Sequence, residues 1–275
     1  MRAKSRNEYI GISKITNEGY TVKCIGVSNK ANRIIVQFED EVVLEVSISS
    51  FKNGTIKNRN HKSVCGVGFL GYGKYKTGTS RNRPKIEKDC YWFWTSMIKR
   101  VHNPNKNTRS MSYQRKQVTI YEDWYNFQNF ADWFYNKSNY RLGWVLDKDL
   151  LSDKNIYSPE TCLFIPERVN NFIATHYNTN TSGKTGVIIR GGKYVARTWF
   201  YDPILNKQIA YHLGEYDNIN DAYVSYLKKR IELSDILSDM MIKEFNLNKD
   251  DIIIKSLKNL YRRELNSFIK NEPSY

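Results

Sequence analysis

The sequence predicts an α+β protein in which strand-forming and helix-forming stretches come in blocks. Three observations carry this. Residues 20–50 hold three alternating, β-branched runs; residues 90–135 carry aromatic side chains at helical intervals; and three strand-like runs after residue 185 lead into a long periodic tail.

At 275 residues the chain has room for one large domain or two to three small ones. An apolar fraction of 40%, with 20 Tyr, 12 Phe and 6 Trp, supplies real cores and argues against wholesale disorder. The net charge is +15. Such a field favours a polyanionic partner and raises its encounter rate, while saying nothing of fold. The surplus is uneven: residues 1–85 hold 16 basic and 6 acidic side chains, against 12 and 10 in residues 86–173 and 15 and 12 in residues 174–275. The N-terminal excess is larger than solubility requires. No apolar run reaches the roughly 18 residues of a membrane span. The opening MRAKSRNEYIGIS has no apolar core behind its basic residues, so no secretory signal is expected. Cys24, Cys65, Cys90 and Cys162 form no C-x-x-C pair, which argues against a zinc ribbon and for free thiols in a reducing cytoplasm.

Taken in order, YTVKCIGV, RIIVQFED and EVVLEVSI are separated by polar turns and read as a three-stranded meander. With FKNGTIKN after them they suggest a small SH3-like β-barrel over residues 1–82. CGVGFLGYGKY contains a G-x-G-x-x-G pattern at Gly66, Gly68 and Gly71, but no helix signal follows, which rejects a dinucleotide or P-loop reading. These glycines let a β-ribbon or loop pass close to a neighbour. TSRNRPK, residues 79–85, reads as a linker. DCYWFWTSMIKRVHN then spaces Trp94, Met97, Ile98 and Val101 helically and stops before Pro104. Trp124, Phe127, Phe130, Trp133 and Phe134 form a second stripe, expected to be core packing rather than a base-stacking platform. The tail INDAYVSYLKKRIELSDILSDMMIKEF starts behind an N-cap at Asp217 or Asn218, and IIIKSLKNLYRRELNSFIK completes it.

Chemistry concentrates in VLDKDLLSDKNIYSPETCLFIPERVN, residues 145–170. Val145–Asp149 reads as a short strand, Asn155–Pro159 as a turn, and Phe164–Phe172 as a helix with Pro166 in its first turn. Two readings stand here. One is a charged hairpin with an Asp147–Lys148–Asp149 surface triplet. The other is a metal site in which Asp147 and Asn170, 23 residues apart, supply hard oxygens suited to Mg²⁺, Mn²⁺ or Ca²⁺.

The order of these residues resembles the HNH, or ββα-metal, nucleases over residues 83–175. In most of that family Asp-His ends the first strand and a helical His or Asn is the second ligand; a subset of restriction nucleases carries Asp-Arg followed by Tyr-Ser-Pro. Here Asp147-Lys148 precedes Tyr157-Ser158-Pro159 and Asn170, and W-x-x-M-x-x-R at Trp94, Met97 and Arg100 matches phage HNH-like proteins. The resemblance implies metal ligation by Asp147 and Asn170, with Mg²⁺ or Mn²⁺ as cofactor. It gives Lys148 a phosphate-contacting role, since lysine is a poor base at neutral pH, and leaves Tyr157 to orient or deprotonate water. Thr161 stands where the pattern usually has a loop-bracing Asn.

GVIIRGGKYVARTWFYDPILNKQIAYHLGEYDNINDAYVSYL resembles an AP2-type DNA-binding domain across about 45 residues, through Gly186-Val187, Lys193–Ala196, Leu213-Gly214 and the Ala222/Tyr226 helix. That resemblance implies a three-stranded sheet backed by a helix over residues 183–230, lying in a major groove, with a helical tail over residues 231–275. Strand alternation puts Val195, Arg197 and Trp199 on one face and Tyr194, Ala196, Thr198 and Phe200 on the helix side. Arg190, Lys193, Arg197, Trp199 and His212 are the DNA-facing candidates. His61, His102 and His176 form no spaced cluster. Together the expectation is a metal-dependent endonuclease of the phage or homing type, acting on double-stranded DNA in a bacterial host's cytoplasm. One centre nicks; a double-strand break needs a homodimer. The rival is a DNA-binding or host-interference protein on a catalytically inactive nuclease frame.

Overall fold

The computed structural model describes residues 5–77, 81–103, 113, 116–174, 182–202 and 205–271. It is a mixed α+β protein with several small sheets and six helices among the described residues. Its contacts divide it into two units, residues 1–113 with 122–132, and residues 114–121 with 133–275.

The first unit begins with an antiparallel meander, β1 (Ser13–Ile15), β2 (Thr21–Val27), β3 (Arg33–Phe38) and β4 (Val43–Ser47), in the spatial order β1-β2-β3-β4. Alternation sends Val22 and Cys24 of β2, and Ile34, Val36 and Phe38 of β3, into one core. The expected SH3-like barrel does not close. β1 is only three residues long and does not pair with β4, and the open core is covered instead by Tyr9 and by Phe51 of α1 (Ile48–Asn53). Those two rings meet edge-on at 6.2 Å. Ser47 caps α1 by accepting the Ser50 N–H at 3.0 Å.

α2 (Lys85–His102) follows Pro84, with residues 79–80 of the expected linker outside the described residues. It buries Cys90, Phe93, Trp94, Met97, Ile98 and Val101, the face its spacing predicts. The Trp94 indole donates to the Trp124 carbonyl at 2.7 Å. The aromatic stripe through Trp124 and α3 (Phe127–Asn136) is buried along its length, as core packing requires. The glycine-rich stretch runs beside α3: a Cβ on Gly71, whose φ is +64°, would meet the Asn126 side chain. Close backbone approach is its role.

The second unit holds β5 (Thr119–Ile120), β6 (Trp144–Asp147), β7 (Ile156–Tyr157), β8 (Leu163–Pro166) and α4 (Glu167–Ile173). β5 and β7 pair in parallel, while β6 and β8 form an antiparallel pair from Trp144↔Pro166 to Asp147↔Leu163. Phe164–Pro166, the expected start of a helix, is therefore the end of a strand. LFIP is buried throughout and finds partners in WVLD, and the helix begins only after Pro166, which needs no donor as N-cap. Ile156–Tyr157, expected as turn, is likewise a short strand because β5 supplies its partner.

β9 (Val187–Arg190), β10 (Lys193–Asp202) and β11 (Lys207–Tyr216) make the third sheet in the order β11-β10-β9. α5 (Ile219–Phe245), capped by the Asn218 side chain accepting the Asn220 N–H at 2.7 Å, packs on β10 and β11. α6 (Ile252–Asn271) packs along α5, with Arg262 paired to Asp235 at 2.6 Å. Gly186, at φ +74°, faces the Tyr226 ring so closely that a Cβ would overlap it. No helix among the described residues is long and apolar enough to cross a membrane.

Candidate metal centre and nucleic-acid face

Asp147 ends β6 and is 5% exposed. Its Oδ2 accepts the Asp149 and Leu150 backbone N–H groups at 2.9 and 2.8 Å, an Asx-type turn that the D-K-D-L order favours. Oδ1 makes no hydrogen bond with a described residue. Burial pushes the Asp147 carboxyl up to about 6; the two backbone donors and Lys148 oppose that rise, and neighbouring Asp149 adds to it.

Lys148 is 3% exposed and bonds the exposed Asp149 carboxylate at 2.5 Å, its ammonium 5.9 Å from the centre of the Tyr157 ring. Tyr157 is 2% exposed on β7, where its carbonyl accepts the Tyr121 N–H at 2.8 Å. Both candidates for phosphate or water chemistry thus sit in the core around the hairpin. Thr161 braces the loop between the strands: its hydroxyl donates to the Ile156 carbonyl at 2.7 Å and accepts the Ser158 N–H at 3.1 Å. The hydroxyl thus ties both a backbone carbonyl and a backbone N–H at the position where the resembled pattern has Asn.

Asn170 lies one turn into α4, which packs against both strands of the β6–β8 pair. It is half-buried and its side-chain amide makes no hydrogen bond with a described residue. No hydrogen bond links it to Asp147, and among the described residues no group of three or more His, Cys, Asp or Glu side chains gathers to hold a metal. A cation here would rest on the Asp147 and Asn170 oxygens, with water or phosphate completing its shell. Asp147 Oδ1, which bonds no described residue, is a hard oxygen of the kind divalent ions take, and a cation would relieve a desolvated carboxylate.

The register of the third sheet gathers all five DNA-facing candidates. Lys193 pairs with Arg190 across β9, and Arg197 with His212 across β11, so these four and Trp199 point to one side of β10. Arg190, Arg197 and His212 are exposed and Trp199 is 50% exposed. Lys193 is held by Asp217, and Glu215, opposite Val195, is a carboxylate on the same face. Thr198, Ala196 and Phe200 are buried toward α5, as alternation predicts. Val195 departs from its exposed neighbours and is 4% exposed, because that part of β10 is flanked by both β9 and β11. A bulge between Ala196 and Arg197 re-sets the pairing with β11.

His176 lies outside the described residues, and His61 and His102 are engaged with Tyr20 and Tyr125. Sequence reasoning missed Arg230. Nothing in Lys228-Lys229-Arg230 marks the third residue, but its helical phase with Tyr226, Leu227 and Leu233 would have placed it inward. Comparison with known families, curated proteins and solved structures returned no match.

Proposed function

We propose that this chain is a metal-dependent DNA endonuclease of the HNH type, nicking duplex DNA that its AP2-like sheet holds. In that reading the N-terminal β module adds positive charge, residues 83–175 carry the HNH-like centre, residues 183–230 form the DNA-binding sheet, and residues 231–275 brace it. The observation that carries it is the hairpin–helix order of β6, β8 and α4, with a buried carboxylate ending the first strand and, one turn into the helix, an amide that bonds no described side chain. A bound Mg²⁺ or Mn²⁺ would stabilise the negative charge of the scissile phosphate. The residues do the rest. The turn at Asp149 and Leu150 fixes the Asp147 carboxylate, Lys148 adds positive charge beside it, and Tyr157 holds Lys148 in place. Arg190, Arg197, His212 and Trp199 bind the duplex, Arg197 gripping phosphate or guanine.

A second reading, a DNA-binding or host-interference protein without catalysis, is favoured by the Lys148–Asp149 pair, which engages the lysine assigned to phosphate. Supercoiled plasmid incubated with Mg²⁺ or Mn²⁺ separates the two. Relaxation by the wild type and its loss in Asp147→Ala support the nuclease. Gel shifts by both proteins with no relaxation under either metal support the binder.

A further inference from the structure

A cavity of about 720 Å³ lies within the second unit, between α4, β10 and α5. It runs along β10 from Arg197 to Tyr201. β9 pairs with β10 only from Lys193 to Ala196, and the Arg197 N–H donates to the Gly186 carbonyl at 2.8 Å, so the cavity continues the line where β9 stops. Asn171 and Phe172 of α4 form the facing wall, and Arg230 of α5 lines it too.

Arg230 is 5% exposed. Its Nη2 donates to the Phe172 carbonyl and the Tyr261 hydroxyl, and its guanidinium lies 3.6 Å from the centre of the Phe172 ring and 4.6 Å from that of Tyr261. Nε is enclosed with no partner, Nη1 bonds no described residue, and no carboxylate among the described residues lies within ion-pair distance. A guanidinium cannot shed its proton to escape this. Ring faces, a carbonyl and a phenol offset only part of the cost of an enclosed cation, and an anion is what completes it. Of the other charged residues in the lining, Arg168 is tied to Glu244, Glu167 is a carboxylate, and Arg197 belongs to the exposed face of β10.

We propose that this cavity binds a nucleoside phosphate, its phosphate paired with Arg230 and its base lodged beside Phe172 and the edge of β10. The volume falls within the range of small-molecule sites and far exceeds a phosphate group alone. An aromatic wall with polar edge groups, Asn171 and the β10 backbone beyond Arg197, which pairs with no described strand on the β9 side, suits a planar, hydrogen-bonding ring. The site contains neither Asp147 nor Asn170 and does not depend on the nuclease reading.

Calorimetric titration of the full chain in EDTA tests it, with deoxyadenosine monophosphate, deoxyadenosine and inorganic phosphate as probes. The expected result is saturable binding of the monophosphate, weakened at least about tenfold when either the phosphate or the nucleoside is omitted. Arg230→Met, which retains packing on Phe172 and Tyr261, should abolish binding while circular dichroism stays native. Asn171→Ala, at an exposed position of α4, should weaken it several-fold even if the Arg230 variant fails to fold. Displacement of the monophosphate by a 5′-phosphorylated dinucleotide identifies a strand end as the source; failure to displace it identifies free nucleotide, and either keeps the site. No saturable binding, inorganic phosphate binding as tightly as the nucleotide, or unchanged affinity in the folded variants overturns it. Asp147→Ala should bind the nucleotide like wild type, so loss of nicking and loss of this site are read separately.

Discussion

Asp147→Asn should make the metal-free protein more stable at alkaline pH while removing its response to metal. The Asn side-chain oxygen can still accept the Asp149 and Leu150 N–H groups that Asp147 Oδ2 accepts at 2.9 and 2.8 Å, but it carries no charge into a site 5% exposed. Burial raises the folded carboxyl from an ordinary 3.8 to about 6. A raised acid favours the folded state while protonated, so its contribution is fully present below about pH 4 and is lost as pH climbs through about 6. Above that window the ionised group costs the native state about 3 kcal/mol, at about 1.4 kcal/mol per pH step. Urea unfolding in EDTA, followed by tryptophan fluorescence from pH 4 to pH 8, should show the variant matching wild type at the acid end. It should gain up to about 3 kcal/mol at the alkaline end. Manganese should then stabilise the wild type alone, because only a carboxylate is repaid by a cation. Parallel pH profiles for the two proteins would refute the claim that this carboxyl is desolvated, and equal stabilisation by manganese would remove it from the metal site.

Three other substitutions probe the surrounding structure. Thr161→Val leaves the Ser158 N–H and the Ile156 carbonyl without a partner they now have at 3.1 and 2.7 Å, and should cost about 1–3 kcal/mol in urea unfolding. Gly186→Ala forces a side chain into φ +74° against the Tyr226 ring, and should destabilise by about 1–3 kcal/mol, where the same change at Gly192 meets open space and strains only the backbone. Arg197→Gln should weaken duplex binding and lower the slope of log affinity against log salt by about 1, as loss of one phosphate contact does; an unchanged slope at lower affinity would instead assign it to base readout.

Much of this architecture is legible because local rules act on short, well-patterned segments. The alternation of YTVKCIGV and RIIVQFED, the helical spacing of Trp94, Met97 and Ile98, and the Asn218 cap all decide their elements within a few residues. Phe164–Pro166 resisted the same reasoning. A short apolar run reads as either helix or strand until a partner is known, and here that partner, Trp144–Asp147, lies some twenty residues upstream. The barrel failed for a similar reason, since closure depends on whether the edges of a sheet meet, and here β1 and β4 do not pair and Tyr9 and Phe51 cover the open core.

By itself the sequence determined the basic charge, the order of most strand and helix blocks and the shared face of Arg197 and Trp199, because composition, side-chain period and short-range capping are local properties; the expected strand Val145–Asp149 instead ends at Asp147, whose carboxylate turns the chain. Tertiary structure decided how deeply Asp147, Lys148 and Tyr157 are buried, that Lys148 turns to Asp149, and that Arg230 stands inside without a carboxylate. Burial and ion pairing follow from which segments pack together, and desolvation, which sets the chemistry of a charged group, exists only once they have.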